Sequence, residues 1–209
     1  MDTLKDTITE KEAGIMLTCA LGMAMLWFLP LLDQLGQSAE HSRIWETFFH
    51  SSDPEVTLGA DVDLVGSIWI VGKMNELLSG QSGTVLDNIF VPDGYDFGMA
   101  TGFAWLDAIM GVPLLRLIGY PGFYNLHLLL ILALSAGAAM LLFRSAGAPL
   151  QLAVVFAHLL LFNPFVLGEV NAGRPTQVHW LFPCLTMLGV LKMTHGQRLY
   201  RWSIFTGCA

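Results

Sequence analysis

The stretch GFYNLHLLLILALSAGAAMLLF, residues 122–143, decides the fold class. It contains no Asp, Glu, Lys or Arg from its first residue to its last. An α-helix rises about 1.5 Å per residue, so about 20 apolar residues cross the roughly 30 Å hydrocarbon core of a bilayer. The stretch is long enough for that crossing and is therefore predicted to be a transmembrane helix.

Three more apolar runs qualify as spans: AGIMLTCALGMAMLWFLPLL at 13–32, LQLAVVFAHLLLFNPFVL at 150–167 and the shorter VHWLFPCLTMLGVLKM at 178–193. A truncated fifth span is expected from Trp202. The first run exceeds the roughly 7–15 apolar residues of a signal peptide, and its flank is acidic, so we expect a retained anchor. The predicted fold is all-α: a multi-span transmembrane helical protein.

Composition agrees with a membrane environment. Of 209 residues, 54% are hydrophobic and 13% are charged, whereas soluble domains carry about 25% charged residues. The net charge of -7 argues against nucleic acid as a partner, because nucleic acids favour basic faces. Three scattered cysteines do not make a disulfide framework. Membrane lipids are the expected surroundings of the apolar runs.

Basic residues set the predicted orientation, because short cytoplasmic loops are enriched in Lys and Arg. With alternating spans, one side receives Lys5, Lys11, Arg144, Lys192, Arg198 and Arg201. The opposite loop, GEVNAGRPTQ, has only Arg174. The predicted organisation is therefore a cytoplasmic tail at 1–12, a transmembrane helix at 13–32, an extracytoplasmic loop at 33–121, and transmembrane helices two to four with short loops and the truncated fifth span at 122–209.

The long loop at 33–121 is predicted to be structured. It holds 12 of the 17 acidic residues and only three basic ones. Two amphipathic stretches, at 65–80 and 99–119, are expected to form helices that can lie on the membrane surface. Between them, Asp93-Gly94 is a turn signal. The loop is too long to be a plain connector.

The segment LGADVDLVGSIW, at 58–69, is the first motif with residues that are suited to catalysis or cation binding. Asp61 and Asp63 lie just outside the membrane, before an amphipathic helix. A carboxylate there can take a proton from a hydroxyl acceptor or bind a divalent cation. The alternative is that Asp63 caps the helix that follows.

The segment FNPFVLGEVNAGRPTQVHW, at 162–180, is the second such motif. Its polar residues are expected to cluster in one short outer loop: Glu169, Asn171, Arg174, Gln177 and His179. The guanidinium of Arg174 presents a planar fork of donors that suits a phosphate. The alternative is an interfacial loop in which Arg174 and His179 extend toward water.

Two histidines lie within predicted spans. His158 is midway along the third span, where an ionisable residue is a functional suspect; the blander interpretation is a neutral imidazole bonded to a neighbouring helix. His127, near the outer end of the second span, is the weaker candidate. The sequence has no zinc-site histidine spacing, no phosphate loop and no nucleophile elbow.

The motifs together have a recognisable order. They are Gly59, Asp61, Asp63 and Trp69; the turn Pro92-Asp93-Gly94; Tyr124-Asn125 entering the second span; LSAGAAMLL within it; Asn163-Pro164-Phe165; and Gly173, Arg174 and Gln177, with Trp180 and Pro183 after them. This order, over about residues 10–195, resembles the GT-C class of membrane glycosyltransferases, in particular its uncharacterised bacterial group. Relatives continue through many more spans, so the chain resembles an amino-terminal portion.

The resemblance implies a glycosyltransferase of the hexosyltransferase type. It would take a sugar from a polyprenyl-phosphate donor at the outer face of the bacterial inner membrane, with a cytoplasmic amino terminus. Asp63, supported by Asp61, would act as catalytic base or hold a divalent cation. Arg174 and His179 would bind the donor phosphate, and further candidates are Glu169, Gln177 and His158. The rival hypothesis is a non-catalytic multi-span protein, such as an assembly partner or a transporter or flippase fragment.

Overall fold

The computed structural model describes residues 8–26, 29, 62–81, 85–86, 95–96, 104–120 and 122–194. In chain order its elements are α1 (Glu10–Leu26), α2 (Val62–Leu78), β1 (Val85–Leu86), β2 (Tyr95–Asp96), α3 (Ala104–Ile118), α4 (Gly122–Ser145), α5 (Leu150–Leu161), α6 (Pro164–Asn171), a 3-10 turn (Pro175–Val178) and α7 (Leu181–Thr194). The all-α class is confirmed, since β1 and β2 form only a two-residue antiparallel ladder.

Contacts divide the chain into two compact units. The first unit holds Met1–Leu29, Leu129–Leu167 and Val178–Ala209, and the second holds Pro30–Leu128 and Gly168–Gln177. The core of the first unit contains small side chains at helical spacing: Ala20 and Ala24 in α1, Ala136 and Ala139 in α4, and Ala153 and Ala157 in α5. Small residues let helix backbones approach closely, which is the usual packing of helices in membranes.

A capping box starts α1. The Thr9 hydroxyl accepts from the Glu12 backbone N–H at 3.2 Å, and the Glu12 carboxylate accepts from the Thr9 N–H at 3.1 Å. These reciprocal bonds satisfy backbone donors that a helix start leaves open. The helix therefore begins at Glu10, slightly before the apolar run predicted as the span at 13–32.

Arg144 connects the last turn of α4 to the first turn of α1. It lies in the last turn of α4, where its Nη1 donates to the Ala148 carbonyl at 2.9 Å. Its Nη2 donates to the Glu12 carboxylate at 2.8 Å. The first turn of α1 therefore lies beside the last turn of α4.

The third predicted span is two helices rather than one. α5 and α6 meet at a 47° bend after Leu161. At the bend the Asn163 side chain accepts from the Val166 N–H at 3.0 Å and donates to the Leu160 carbonyl at 2.5 Å. Asn163 is thus the N-cap of α6, and Pro164 follows at the first helical position, where its missing N–H costs nothing.

By length and composition, one described helix can cross a bilayer, namely α4, and the bent pair of α5 and α6 qualifies as a second if it forms one broken span. The runs predicted as the first and fourth spans coincide with α1 and α7, which have 17 and 14 residues in the described part of the chain. The multi-span prediction is thus neither established nor overturned by helix length.

The second unit is built on α2 and α3, the two amphipathic stretches expected in the loop. A Cβ placed on Gly111 would meet the Val71 methyls at 3.1 Å, so the helices approach closely there. One turn further on, Arg116 donates to Asn75 Oδ1 at 2.6 Å and to Ser79 Oγ at 2.8 Å. The contacts advance together along both helices, so α2 and α3 run parallel. The Asp93-Gly94 turn expected between them lies outside the described residues.

The ion pair between Glu12 and Arg144 makes stability depend on pH. The hydrogen bond from the Thr9 N–H and the charge of Arg144 hold the pKa of the Glu12 carboxyl below its ordinary value. A carboxyl whose native pKa is lowered stabilises the fold above its unfolded pKa, and loses that effect as pH falls through the native pKa. We expect Glu12→Gln to lower the thermal midpoint at pH 7, and the difference from wild type to shrink as the pH falls through the lowered native pKa of Glu12.

The control is Glu10→Gln, because Glu10 is an exposed carboxylate of the same first turn. It should show a smaller difference at pH 7. The interpretation is contradicted if both variants, measured by helical circular dichroism in detergent, give the same pH profile.

Candidate active site

A buried acid and a buried base touch in the second unit. Asp107 is in the first turn of α3, and His127 is near the start of α4. His127 Nε2 lies 2.9 Å from Asp107 Oδ1, and the two residues are only 2% and 4% exposed. The short turn at Gly119, whose φ of 70° suits glycine, ends α3 and lets α4 begin close by. An ionisable pair at this depth is a candidate functional site.

A small cavity opens beside this pair. Its volume is about 50 Å³, and its lining residues are Ser67, Ile70, Val71, Asp107, Phe123, Tyr124, His127, Pro175 and Thr176. Five of these offer polar side-chain atoms. A cavity of this kind is large enough and polar enough to hold a water molecule or a small polar group.

The turn after α6 positions the second motif. The Gly173 N–H donates to the Val170 carbonyl, and the Arg174 N–H donates to the Glu169 carbonyl, at 3.1 and 2.9 Å. With a φ of 73° at Gly173, these two bonds make a Schellman motif. A left-handed residue is required at Gly173, and the motif fixes the point at which the chain leaves the helix before Arg174.

The two sequence motifs meet at Gly173. Ser67, in the α2 segment of the first motif, donates its hydroxyl to the Gly173 carbonyl at 2.8 Å, across 106 positions of sequence. Thr176, just past Arg174, lines the same cavity as Ser67. The structure therefore brings part of the first motif and part of the second to one cavity within one unit.

Arg174 contacts Glu169, another member of the polar cluster expected in this loop. Its Nη1 is 3.4 Å from Glu169 Oε2, a long contact for an ion pair with a hydrogen bond. The Arg174 side chain is 43% exposed, and that of Glu169 is 14% exposed. Part of the guanidinium therefore remains accessible to solvent, while Glu169 contacts its Nη1 atom.

The structure also describes three further predicted residues. Gln177 is exposed at the 3-10 turn. His179 belongs to the first unit, where its ring lies 6.2 Å from that of Phe182. His158 is exposed on α5 and stacks on Phe162 at 4.5 Å, so the contact described is within its own helix end rather than with a neighbouring helix.

The structure describes only part of the carboxylate pair of the first motif. Asp61 and the side chain of Asp63 lie outside the described residues. The backbone of Asp63 is within the first turn of α2, which begins at Val62. Asp63 therefore occupies a helical position, not the N-cap position that the alternative interpretation gave it.

The two histidines differ in burial. The sequence analysis gave His127 as a weaker candidate than His158 and did not single out Asp107. In the structure His127 is buried against Asp107, and His158 is exposed. The available signal was an ionisable residue in each of two apolar stretches, which is rare without a partner. Their separation of 20 residues follows no helical or strand period, so the pairing itself was not readable.

Comparison of the chain with protein-family models, with curated proteins and with solved structures found no match. The described residues and their geometry are thus what bears on function.

The buried pair should be strongly coupled. Removing one partner of a buried ionisable pair typically costs about 3–5 kcal/mol, whereas replacing both by apolar residues costs far less. We expect Asp107→Leu and His127→Leu each to lower the thermal midpoint sharply, and the double variant to be more stable than the sum of the two changes allows. The coupling is obtained from a double-mutant cycle on detergent-solubilised protein.

The matched control is the partly exposed pair Lys73 and Glu76, with its 2.7 Å contact. Its cycle to alanine should give a coupling of at most about 1 kcal/mol. Additive effects at Asp107 and His127 would mean that the pair makes no net interaction.

Proposed function

We propose that the chain is a multi-pass membrane protein whose segment 33–121 faces the extracytoplasmic side, and that it transfers a sugar from a lipid-phosphate donor to a hydroxyl acceptor. The observation that carries the catalytic part is the Ser67–Gly173 hydrogen bond. It joins the first-motif and second-motif segments at a cavity that also contains Asp107 and His127.

The membrane part is supported by which side chains are exposed. Leu17 and Met25 of α1 and Leu159 of α5 are 62%, 55% and 60% exposed, while four of the seven buried residues of these two helices are alanines. A soluble bundle places its large apolar residues inside and polar ones outside. Large apolar side chains on the exposed side, with alanines at the close helix contacts, suit hydrocarbon as the solvent.

The Glu12–Arg144 ion pair supports the same orientation. It places the residue before the first predicted span beside the residue after the second. Two consecutive spans that return to the same side have this arrangement. Arg144 is one of the basic residues assigned to the cytoplasmic side, and the preceding end of α4 would then face outward.

The chemistry divides between the two motifs. The acceptor oxygen would form a bond to the anomeric carbon of the donor sugar, and the bond from that carbon to the phosphate oxygen would break, its electron pair leaving with the phosphate. The exposed face of Arg174 suits that phosphate. Asp63 and Asp61 would either take the acceptor proton or bind a divalent cation, and His179 remains a predicted aid to phosphate binding.

A transporter is the second candidate. It is favoured by two observations: the 47° bend at Asn163 within one predicted span, and the buried Asp107–His127 pair. Broken helices and buried ionisable groups are features of membrane carriers. Such a protein would move its substrate without breaking a glycosidic bond, so product analysis separates the two functions.

The topology is tested by cysteine labelling. In a parent variant lacking Cys19, Cys184 and Cys208, we expect a membrane-impermeant maleimide applied to intact cells to label Ser82→Cys, in the outer segment, and not Ala148→Cys, in the turn after α4. Lysed cells provide the control, because Ala148→Cys should then react. Labelling of Ala148→Cys in intact cells, or failure to label Ser82→Cys, would overturn the proposed orientation.

The transfer is tested with the full chain in membranes and a labelled sugar on polyprenyl phosphate. We expect Asp63→Asn and Arg174→Gln each to reduce transfer by about 100-fold or more, since each removes a group used in the transition state. The control is Lys192→Gln, which also removes one positive charge but lies near the end of α7. The proposal fails if wild type transfers no sugar, or if both site variants match the control.

A further inference from the structure

The buried hydroxyl of Tyr124 is an argument for a ligand in the cavity. Its side chain is 2% exposed, and among the described residues its hydroxyl has no hydrogen-bond partner. The same residue lines the cavity beside Asp107 and His127. A buried hydroxyl without a partner is destabilising, so a ligand oxygen bound in the cavity would relieve a cost that the fold otherwise carries.

The contact between Asp107 and His127 fixes which imidazole nitrogen can accept a proton. With Asp107 ionised, His127 Nε2, at 2.9 Å, donates to it, because an ionised carboxylate only accepts hydrogen bonds. In the neutral ring the lone pair then resides on Nδ1. Proton uptake at Nδ1 would give an imidazolium whose charge faces the Asp107 carboxylate directly.

The other charged groups described in this unit have interactions of their own. Lys73 pairs with Glu76, Arg174 contacts Glu169, and Arg116 bonds to Asn75 and Ser79. Asp107 Oδ1 is the carboxylate oxygen that contacts His127 Nε2. Asp107 is placed to orient the imidazole and not to contact a substrate itself.

The size of the cavity limits what can enter. About 50 Å³ accommodates a water molecule or one hydroxyl-bearing carbon of a larger molecule. Ser67 and Thr176 add hydroxyl groups to its lining. These features fit an alcohol group at the tip of a molecule whose bulk remains outside.

We infer that His127 is the proton acceptor of the transfer, with Asp107 as its positioning residue and Tyr124 as the donor that holds the acceptor oxygen. This rests on the proposed function. The hydroxyl proton passes to Nδ1 of His127 as its oxygen bonds to the anomeric carbon, and the phosphate leaves with the electron pair. Asp61 and Asp63 then keep the other role predicted for them, as ligands of a divalent cation.

The experiment measures kcat and the KM values for a hydroxyl acceptor and for the lipid donor, from about pH 5 to 9, with the full chain in membranes. His127→Gln is the central variant, because its amide can still donate to Asp107 but cannot take a proton. We expect its kcat to fall by about 100-fold or more, as for loss of a general base, while the KM for the lipid donor changes by less than about 3-fold. The step in the wild-type pH profile that reflects the base should disappear.

Three companion variants separate catalysis from structure. His127→Ala should regain activity by about 10-fold or more when free imidazole is added, which loss of a purely structural role would not allow. Asp107→Asn, which can donate to the imidazole and favour the opposite tautomer, should lower kcat without raising the donor KM. Tyr124→Phe should raise the acceptor KM, whereas Tyr120→Phe, a partly exposed tyrosine outside the cavity lining, should match wild type.

Failure of the inference is distinct from failure of the proposed function. If wild type transfers sugar while His127→Gln keeps a kcat within about 3-fold and an unchanged pH profile, the assignment of His127 is wrong and the transferase proposal stands. If wild type transfers none, the proposed function itself is wrong, and the proton-acceptor assignment falls with it.

Discussion

A carboxylate and an imidazole in an apolar interior need each other, and the second unit depends on that constraint. Asp107 and His127 are both almost completely buried, at a depth where either residue alone would have to lose its charge or leave the interior. Their contact requires the start of α3 and the start of α4 to lie together. Asp107 also gains from its position in the first turn of α3, where the helix dipole favours a negative charge.

The neighbouring polar contacts follow from the same arrangement. α2 runs parallel to α3, in contact at Val71 and Gly111 and fastened by Arg116 at its far end. At the near end Ser67 reaches the Gly173 carbonyl. The cavity lies beside the buried pair, among the elements that these contacts hold together. A rigid surround of this kind is what allows buried groups to keep a defined geometry.

The helices were predictable because their signals are local. The second predicted span and α4 begin at the same residue, Gly122, directly after Pro121. The two amphipathic stretches are indeed helices, and α3 continues through Pro113 because Pro113 and Ile109, the residue whose carbonyl loses its helical donor there, are both exposed. The interruption at Asn163 was visible as Asn-Pro, although its effect on the third span was underestimated.

The site was predictable only in part, because its contacts are between segments distant in sequence. Ser67 and Gly173 lie in motifs that were singled out, but no periodicity connects them. Asp107 was not singled out, although a carboxylate within an apolar stretch needs a buried partner if the stretch packs in an interior. A hydrophobicity pattern shows how polar the residue at each position is. It does not show which residue, distant in sequence, pairs with a buried polar side chain.

The bend between α5 and α6 gives Asn163 two opposed roles. Neither α5 nor α6 alone reaches across a bilayer, since 12 and 8 residues rise only about 18 and 12 Å. Insertion of the whole segment during synthesis would be helped by a leucine at 163, because insertion favours apolar residues. In a bilayer, backbone groups at such a bend could not hydrogen-bond to lipid, and the Asn163 amide bonds to two of them. If the segment spans a membrane, as we propose, the residue that opposes its insertion is therefore the one that stabilises its bend.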